Sequence, residues 1–347
     1  MGKTRILIDG RSMTPHLSGI GRYNIELVRG YVRRFGEDAV TVIVNEPPAY
    51  LPYSYLVCPY NRHKIIDNMR FSRWLERQDY DIFHSGDMTG SFWHKAGVRH
   101  IITCHDLMYF IVPGFFGRIN PLKASIRKMR IKILFKYIVK DADIVISVSK
   151  TTHDDLKRIY GIDSIVLREG INRISREGDG GEYRGLKHGS FFLYVGCGSA
   201  HKNIDFLTST FLASTTDKLL VICGKGHRPM ESDRIIYTDY IDDCHLDYLY
   251  KNCAAFIFPS LYEGFGMPIL EALSYHCRVF SSDAGSLGEF SAKVVNFFDP
   301  NNPYQLKNLI EQCDSIPVDT AVIDSYLKGY DWTVIWEEFH NKFTRDV

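Results

Sequence analysis

Short apolar runs alternate along this chain with longer stretches whose apolar positions recur at helical spacing. Residues 5–10 (RILIDG) predict a first strand, and residues 18–35 carry Ile20, Tyr23, Leu27, Val28 and Tyr31 on related turns of one helix. Val40–Val44 and residues 82–84, 100–104 and 144–148 are further strand candidates, with helices predicted between several of them. Such alternation predicts an α/β fold: a parallel sheet covered by helices on both faces.

The pattern is lost over residues 170–189, where many charges and five glycines after Gly170 mark a linker. A second alternating series then opens with Phe191–Val195, a turn at 196–202 and a helix from about Asn203. Leu219–Cys223 and residues 234–237, 254–259, 278–281 and 294–298 are its later strands. The expected organisation is an N-terminal Rossmann-like domain over 1–170, a C-terminal one over 171–325, and a closing helix within 326–347. Trp332, Trp336, Phe339 and Phe343 lie at helical spacing in that last segment, which predicts a packing stripe.

At 347 residues the chain has room for about two domains of roughly 150 residues. Forty-two basic against forty-one acidic residues leave a formal charge of +1, so overall charge gives no support for a nucleic-acid partner. The eight cysteines are scattered without C-x2-C spacing, which predicts free thiols in a reducing, cytoplasmic compartment. The N-terminus lacks the apolar core of a signal peptide, and no apolar run approaches the ~18 residues of a membrane span. Residues 118–140 hold Arg127, Lys128, Arg130, Lys132, Lys136 and Lys140 among apolar residues. The apolar face of this predicted helix is expected in the core; peripheral contact with an anionic membrane is the alternative.

Candidate chemistry concentrates in residues 258–273, FPSLYEGFGMPILEAL, where Glu263 and Glu271 flank a Gly-Phe-Gly turn with seven residues between them. Pro268 suits the first position of a helix, which puts Glu271 in its first turn or so and leaves the amides of Phe265, Gly266 and Met267 just ahead of it. Unpaired donors at the positive end of a helix dipole bind anions, and glycines let a phosphate approach the main chain. A sugar nucleotide offers a diphosphate for the turn and hydroxyls for both carboxylates. Helix-end electrostatics explains either glutamate taken singly.

Other strings are individually weaker. Gly19-Ile20-Gly21 begins a G-x-G-x-x-N string without the third glycine of a dinucleotide fingerprint, yet it follows a strand at the edge where open α/β sheets bind ligands. His105-Asp106 ends an apolar run, where a satisfied strand-end histidine is the plain reading. Lys202 ends the glycine turn that begins at Gly196, an unusual place for lysine unless it compensates an anion. Asp141-Ala142-Asp143 matches a metal-binding D-x-D string but fits helix termination better, and His94, His100 and His105 lack zinc spacing.

Together these strings resemble the retaining glycosyltransferases of family 4, with their E-x7-E signature and GT-B fold. The resemblance runs through nearly the whole chain and is strongest over 194–300. It implies two Rossmann-like domains facing one another across a cleft, the second binding the donor and the first the acceptor, with the C-terminal helix returning to the first. By this resemblance Glu263 holds the transferred sugar, Glu271 the ribose, and Lys202 the diphosphate, together with Gly196 and the amides of Phe265, Gly266 and Met267. Gly19 and Gly21 face donor phosphates or acceptor, and Ile241 and Asp243 hold the base. His105 contacts the sugar or stabilises charge, and Asp106 orients the imidazole or accepts from the acceptor hydroxyl. Cys197 and His201 stand where arginines are common, leaving Arg22 or Arg228 as candidates for a second cation. The resemblance implies no cofactor and no catalytic metal. GDP-mannose is the first donor choice and UDP-glucose the second, with a polysaccharide, lipid-linked sugar or glycoprotein glycan as acceptor. An NAD-dependent oxidoreductase and a non-catalytic sugar-nucleotide-binding protein of the same fold are the rival readings.

Overall fold

The computed structural model describes residues 4–14, 18–113, 115–116, 120–140, 142–171, 182–239 and 241–343. Asp141 and most of the glycine-rich linker lie outside them. The chain forms two compact units, one comprising Met1–Phe110, Arg118–Glu169 and Trp332–Val347, the other Ile111–Gly117 and Gly170–Asp331.

The first unit is built on seven parallel strands, β1 (Ile6–Asp9), β2 (Val40–Val44), β3 (Tyr55–Val57), β4 (Ile82–Ser85), β5 (Arg99–Cys104), β6 (Ile144–Ser147) and β7 (Ile165–Val166). Their spatial order, β3-β2-β1-β4-β5-β6-β7, reverses direction between β1 and β4. At such a switch point the loops leaving two adjacent strands diverge and open a crevice at their carboxyl ends. β1, β2, β4 and β5 are almost wholly buried, as sandwiched parallel strands must be. The short edge strands β3 and β7 had no sequence signal of their own.

Ser18 caps the helix Gly19–Phe35, its Oγ accepting from the Gly21 amide at 3.2 Å. Gly19 and Gly21 therefore lie within the helix, correcting the glycine-loop expectation. Tyr23, Leu27, Val28 and Tyr31 pack with Trp332, Trp336 and Phe339 in one core. A Cβ on Gly30 would stand 2.6 Å from the Trp336 ring, so glycine is what lets the helix Trp332–Phe343 lie this close.

The second unit repeats the design with β8 (Phe191–Val195), β9 (Leu219–Cys223), β10 (Ile235–Thr238), β11 (Ala255–Phe258), β12 (Val279–Ser282) and β13 (Asn296–Phe298). Their parallel order, β10-β9-β8-β11-β12-β13, has its switch point between β8 and β11. The loops that follow these two strands carry Lys202 and Glu263, so topology brings together two positions 61 residues apart in sequence.

The helix Pro121–Val139 departs from expectation. Phe135, Ile138 and Val139 are buried, but Leu122, Ile126, Met129, Ile133 and Tyr137 are exposed. Its apolar residues form two faces, and only one packs into the unit.

Candidate active site

In the second unit, β8 leads through Gly196 to the short turn Ala200–Lys202. Asn203 follows with φ 58°, a left-handed conformation that asparagine tolerates, and the helix Ile204–Leu212 starts from it. The Leu261 amide donates to the His201 carbonyl at 2.7 Å and ties this loop to the one leaving β11. Lys202 Nζ consequently lies 2.6 Å from Glu263 Oε1 and 5.0 Å from the centroid of the Phe258 ring. Both side chains are largely buried. Ser286 Oγ lies 2.8 Å from the Glu263 carbonyl and 3.0 Å from that of Phe265, holding the turn between them.

That turn delivers the chain to the helix Met267–Ser274 through Gly266, whose φ is 118° and whose added Cβ would meet Leu287 at 2.8 Å. The helix begins one residue before Pro268, and Glu271 falls in its second turn rather than its first. Among the described residues, none accepts a hydrogen bond from the amides of Phe265, Gly266 or Met267. Tyr250, buried and stacked on Tyr275, donates its hydroxyl to Glu271 Oε2 at 3.3 Å. Sequence reasoning missed both Ser286 and Tyr250, because each reaches the site from a separate element.

Two glycine turns meet beside Lys202. Gly196 donates to the Cys223 carbonyl and Gly198 to that of Lys225, both at 2.9 Å, and His227 Nε2 donates to the Gly196 carbonyl at 2.8 Å. An added Cβ would stand 2.1 Å from the Gly226 oxygen at Gly198 and 2.0 Å from the Gly196 oxygen at Gly224. The glycines are thus required by backbone-to-backbone packing. His201 is buried, and desolvation lowers its pKa, so its ring is neutral and supplies no second cation. Cys197 and Arg228 are exposed.

Ile241 is half-buried just before the helix Asp243–Asn252, and Asp242 caps that helix by accepting from the His245 amide at 2.9 Å. Asp242, Cys244 and His245 bring ligand atoms within 4.8 Å of one another, but capping and the 2.7 Å contact of Asp242 with His245 Nδ1 account for the cluster.

In the first unit His105 follows β5. Its Nδ1 lies 2.8 Å from Glu169 Oε1 and its Nε2 donates to the Gly86 carbonyl at 2.9 Å. Burial disfavours the charged ring, but Glu169, the Gly86 carbonyl and Asp87 outweigh it and raise the pKa. An imidazolium that donates from both nitrogens fits these partners. Glu169, which the sequence did not single out, orients the imidazole. Asp106 instead accepts from the Met108 amide at 3.0 Å. His105 and Asp106 line a cavity of about 360 Å³ together with Ile20, Arg62, Met88, Phe92, Tyr109, Leu134, Phe135 and Ile138. Arg62 pairs there with Asp87.

Two Rossmann-like units, with a lysine, two carboxylates and open amides at one switch point, define a nucleotide-sugar transferase of the GT-B class. The model of Glycosyltransferase Family 4 matches residues 17–173 and that of Glycosyl transferases group 1 matches residues 185–317; the chain belongs to glycosyltransferase family 4. It is 26% identical over 275 residues to the O-antigen chain mannosyltransferase RfbU of Salmonella typhimurium, covering 76% of this chain and 74% of that protein. Sucrose-phosphate synthase from Thermosynechococcus elongatus superposes with a TM-score of 0.74 at 16% identity, over 99% of this chain and 98% of that one. Anabaena HepE in complex with UDP and glucose superposes with a TM-score of 0.71 at 16% identity, over 99% and 100%. No helix among the described residues is long and apolar enough to cross a membrane.

Proposed function

We propose that this glycosyltransferase moves mannose from GDP-mannose, with retention of configuration, to a hydroxyl of a glycan or lipid-linked glycan during polysaccharide synthesis. UDP-glucose is the second choice of donor. The observation that carries the reading is the Lys202–Glu263 pair at 2.6 Å, on the turn that presents three amides without internal acceptors. Similarity to an O-antigen chain mannosyltransferase supports the choice of sugar.

In this reading the donor diphosphate docks on the amides of Phe265, Gly266 and Met267, with Gly196 allowing close approach. Lys202, which neutralises Glu263 in the free protein, shares its charge with the diphosphate. Glu263 then accepts from the sugar hydroxyls and Glu271, steadied by Tyr250, from the ribose; Ile241 and Asp243 border the base. Departure of the nucleoside diphosphate builds negative charge, which Lys202 and the amides stabilise most in the transition state. The acceptor hydroxyl attacks from the face the diphosphate leaves, and a departing phosphate oxygen takes its proton. With both ring nitrogens of His105 committed to Glu169 and Gly86, the role that suits it is a fixed positive charge rather than a sugar ligand.

Thermal shifts with GDP, GDP-mannose, UDP, UDP-glucose and NADH test the donor, since a specific ligand stabilises the fold in proportion to the logarithm of its occupancy. GDP compounds are expected to give the largest shifts, and a shift with NADH alone would refute the reading. Glu263→Gln is expected to lower turnover roughly a hundredfold with little change in nucleotide affinity. Glu271→Ala is expected to weaken nucleotide binding by about tenfold or more. Wild-type donor affinity and turnover in both variants would remove the site. Nucleotide binding without release, with acceptor supplied, would favour a binding protein.

A further inference from the structure

The helix Pro121–Val139 and the adjoining Lys140 contain seven lysines and arginines and no carboxylate. At about 100° per residue, Leu122, Ile126, Met129, Ile133 and Tyr137 fall within an arc of about 80°. Their relative exposures are 68, 51, 58, 48 and 60%. Lys123 and Arg130 border this stripe on one side, Lys132 and Lys136 on the other. The packing face lies about 150° away, where Ile131, Leu134, Phe135 and Ile138 line the cavity that holds His105 and Asp106. The outer stripe therefore has no packing role within its unit. The helix Ile65–Leu75, whose Ile65 and Asn68 line the same cavity, also exposes Ile66 and Met69.

We propose that the outer face of the helix Pro121–Val139 docks on an anionic lipid bilayer. Apolar side chains flanked by long basic ones enter the interface while the ammonium and guanidinium groups reach anionic headgroups. A second copy of the chain is a poor occupant, since a two-fold contact would set seven cations against seven. A spanning role is excluded by the charge of the helix. One helix diameter, about 10 Å, then separates the lipid surface from the His105 cavity.

Co-sedimentation of the full chain with vesicles tests this without nucleotide or acceptor, so failure here and failure of the transfer reading are distinguishable. The protein is expected to pellet with phosphatidylcholine–phosphatidylglycerol vesicles, to stay in solution with phosphatidylcholine alone, and to be released by high salt. Lys123→Gln/Arg130→Gln/Lys136→Gln is expected to weaken binding about fivefold per charge, roughly a hundredfold together. Ile126→Ser/Met129→Ser/Ile133→Ser is expected to abolish pelleting, with the melting temperature and nucleotide binding of both variants unchanged. Equal pelleting with both vesicle types, or none with either, would overturn the proposal. So would a dimer in analytical ultracentrifugation that the serine variant dissociates.

Discussion

Replacing Lys202 with methionine removes one partner of a largely buried ion pair and leaves the other in place. The charges are 2.6 Å apart, and the two side chains are 13 and 12% exposed. At an effective dielectric near 20, their attraction is about 6 kcal/mol, much of it offset by the cost of taking both groups out of water. Lys202→Met forfeits the attraction but keeps the desolvated Glu263 carboxylate, so the second unit is expected to lose about 3 kcal/mol. Lys202→Met/Glu263→Gln removes both charges and is expected to recover most of that loss. The choice of probe matters, because all four tryptophans, Trp74, Trp93, Trp332 and Trp336, belong to the first unit, and their fluorescence does not follow the second. Native-state hydrogen exchange of peptides spanning β8 and β11 reports the second unit directly. The double variant should recover stability without recovering affinity for nucleoside diphosphate. If the opening free energy of β8 and β11 in Lys202→Met stays within about 0.5 kcal/mol of wild type, the pair is not an energetic unit and the argument from its geometry fails.

The first unit should be acid-labile, because burial lowers the pKa of His84 and His100 to about 3 and of His340 to about 4, from 6.5. Neither ring nitrogen of His100 has a hydrogen-bond partner. The fold favours the neutral rings, so this stability is present above about pH 6.5 and is lost as the pH falls toward 3 to 4. At pH 5 each ring contributes roughly 2 kcal/mol less, and the three together rival the whole stability of a domain. His105, with its raised pKa, acts in the opposite sense. Urea midpoints followed by tryptophan fluorescence should fall steeply from pH 7 to 5, and a flat profile would refute the burial argument. In the second unit Gly198→Ala must push its Cβ away from the Gly226 oxygen. It is expected to cost on the order of 2 kcal/mol by hydrogen exchange and to weaken nucleotide binding; unchanged exchange would mean the two turns separate freely.

Local pattern determined much of this molecule. Strands buried on both faces must be continuously apolar, which is why Val40–Val44, Phe191–Val195 and Leu219–Cys223 were legible residue for residue. Their alternation with helices sufficed for a doubly wound α/β fold, and the E-x7-E string for the family. Edge strands β3 and β7, paired on one side only, leave too weak a pattern to read. Helical periodicity likewise identified the helix Pro121–Val139 but could not say which of its apolar faces the core would take. Only the strand order brought the loops of β8 and β11 together, setting Lys202 on Glu263, and only the tertiary fold carried Glu169 to His105 and Tyr250 to Glu271. These pairs join residues 21 to 64 positions apart, and a chain read in one dimension contains the partners but not the topology that makes them neighbours.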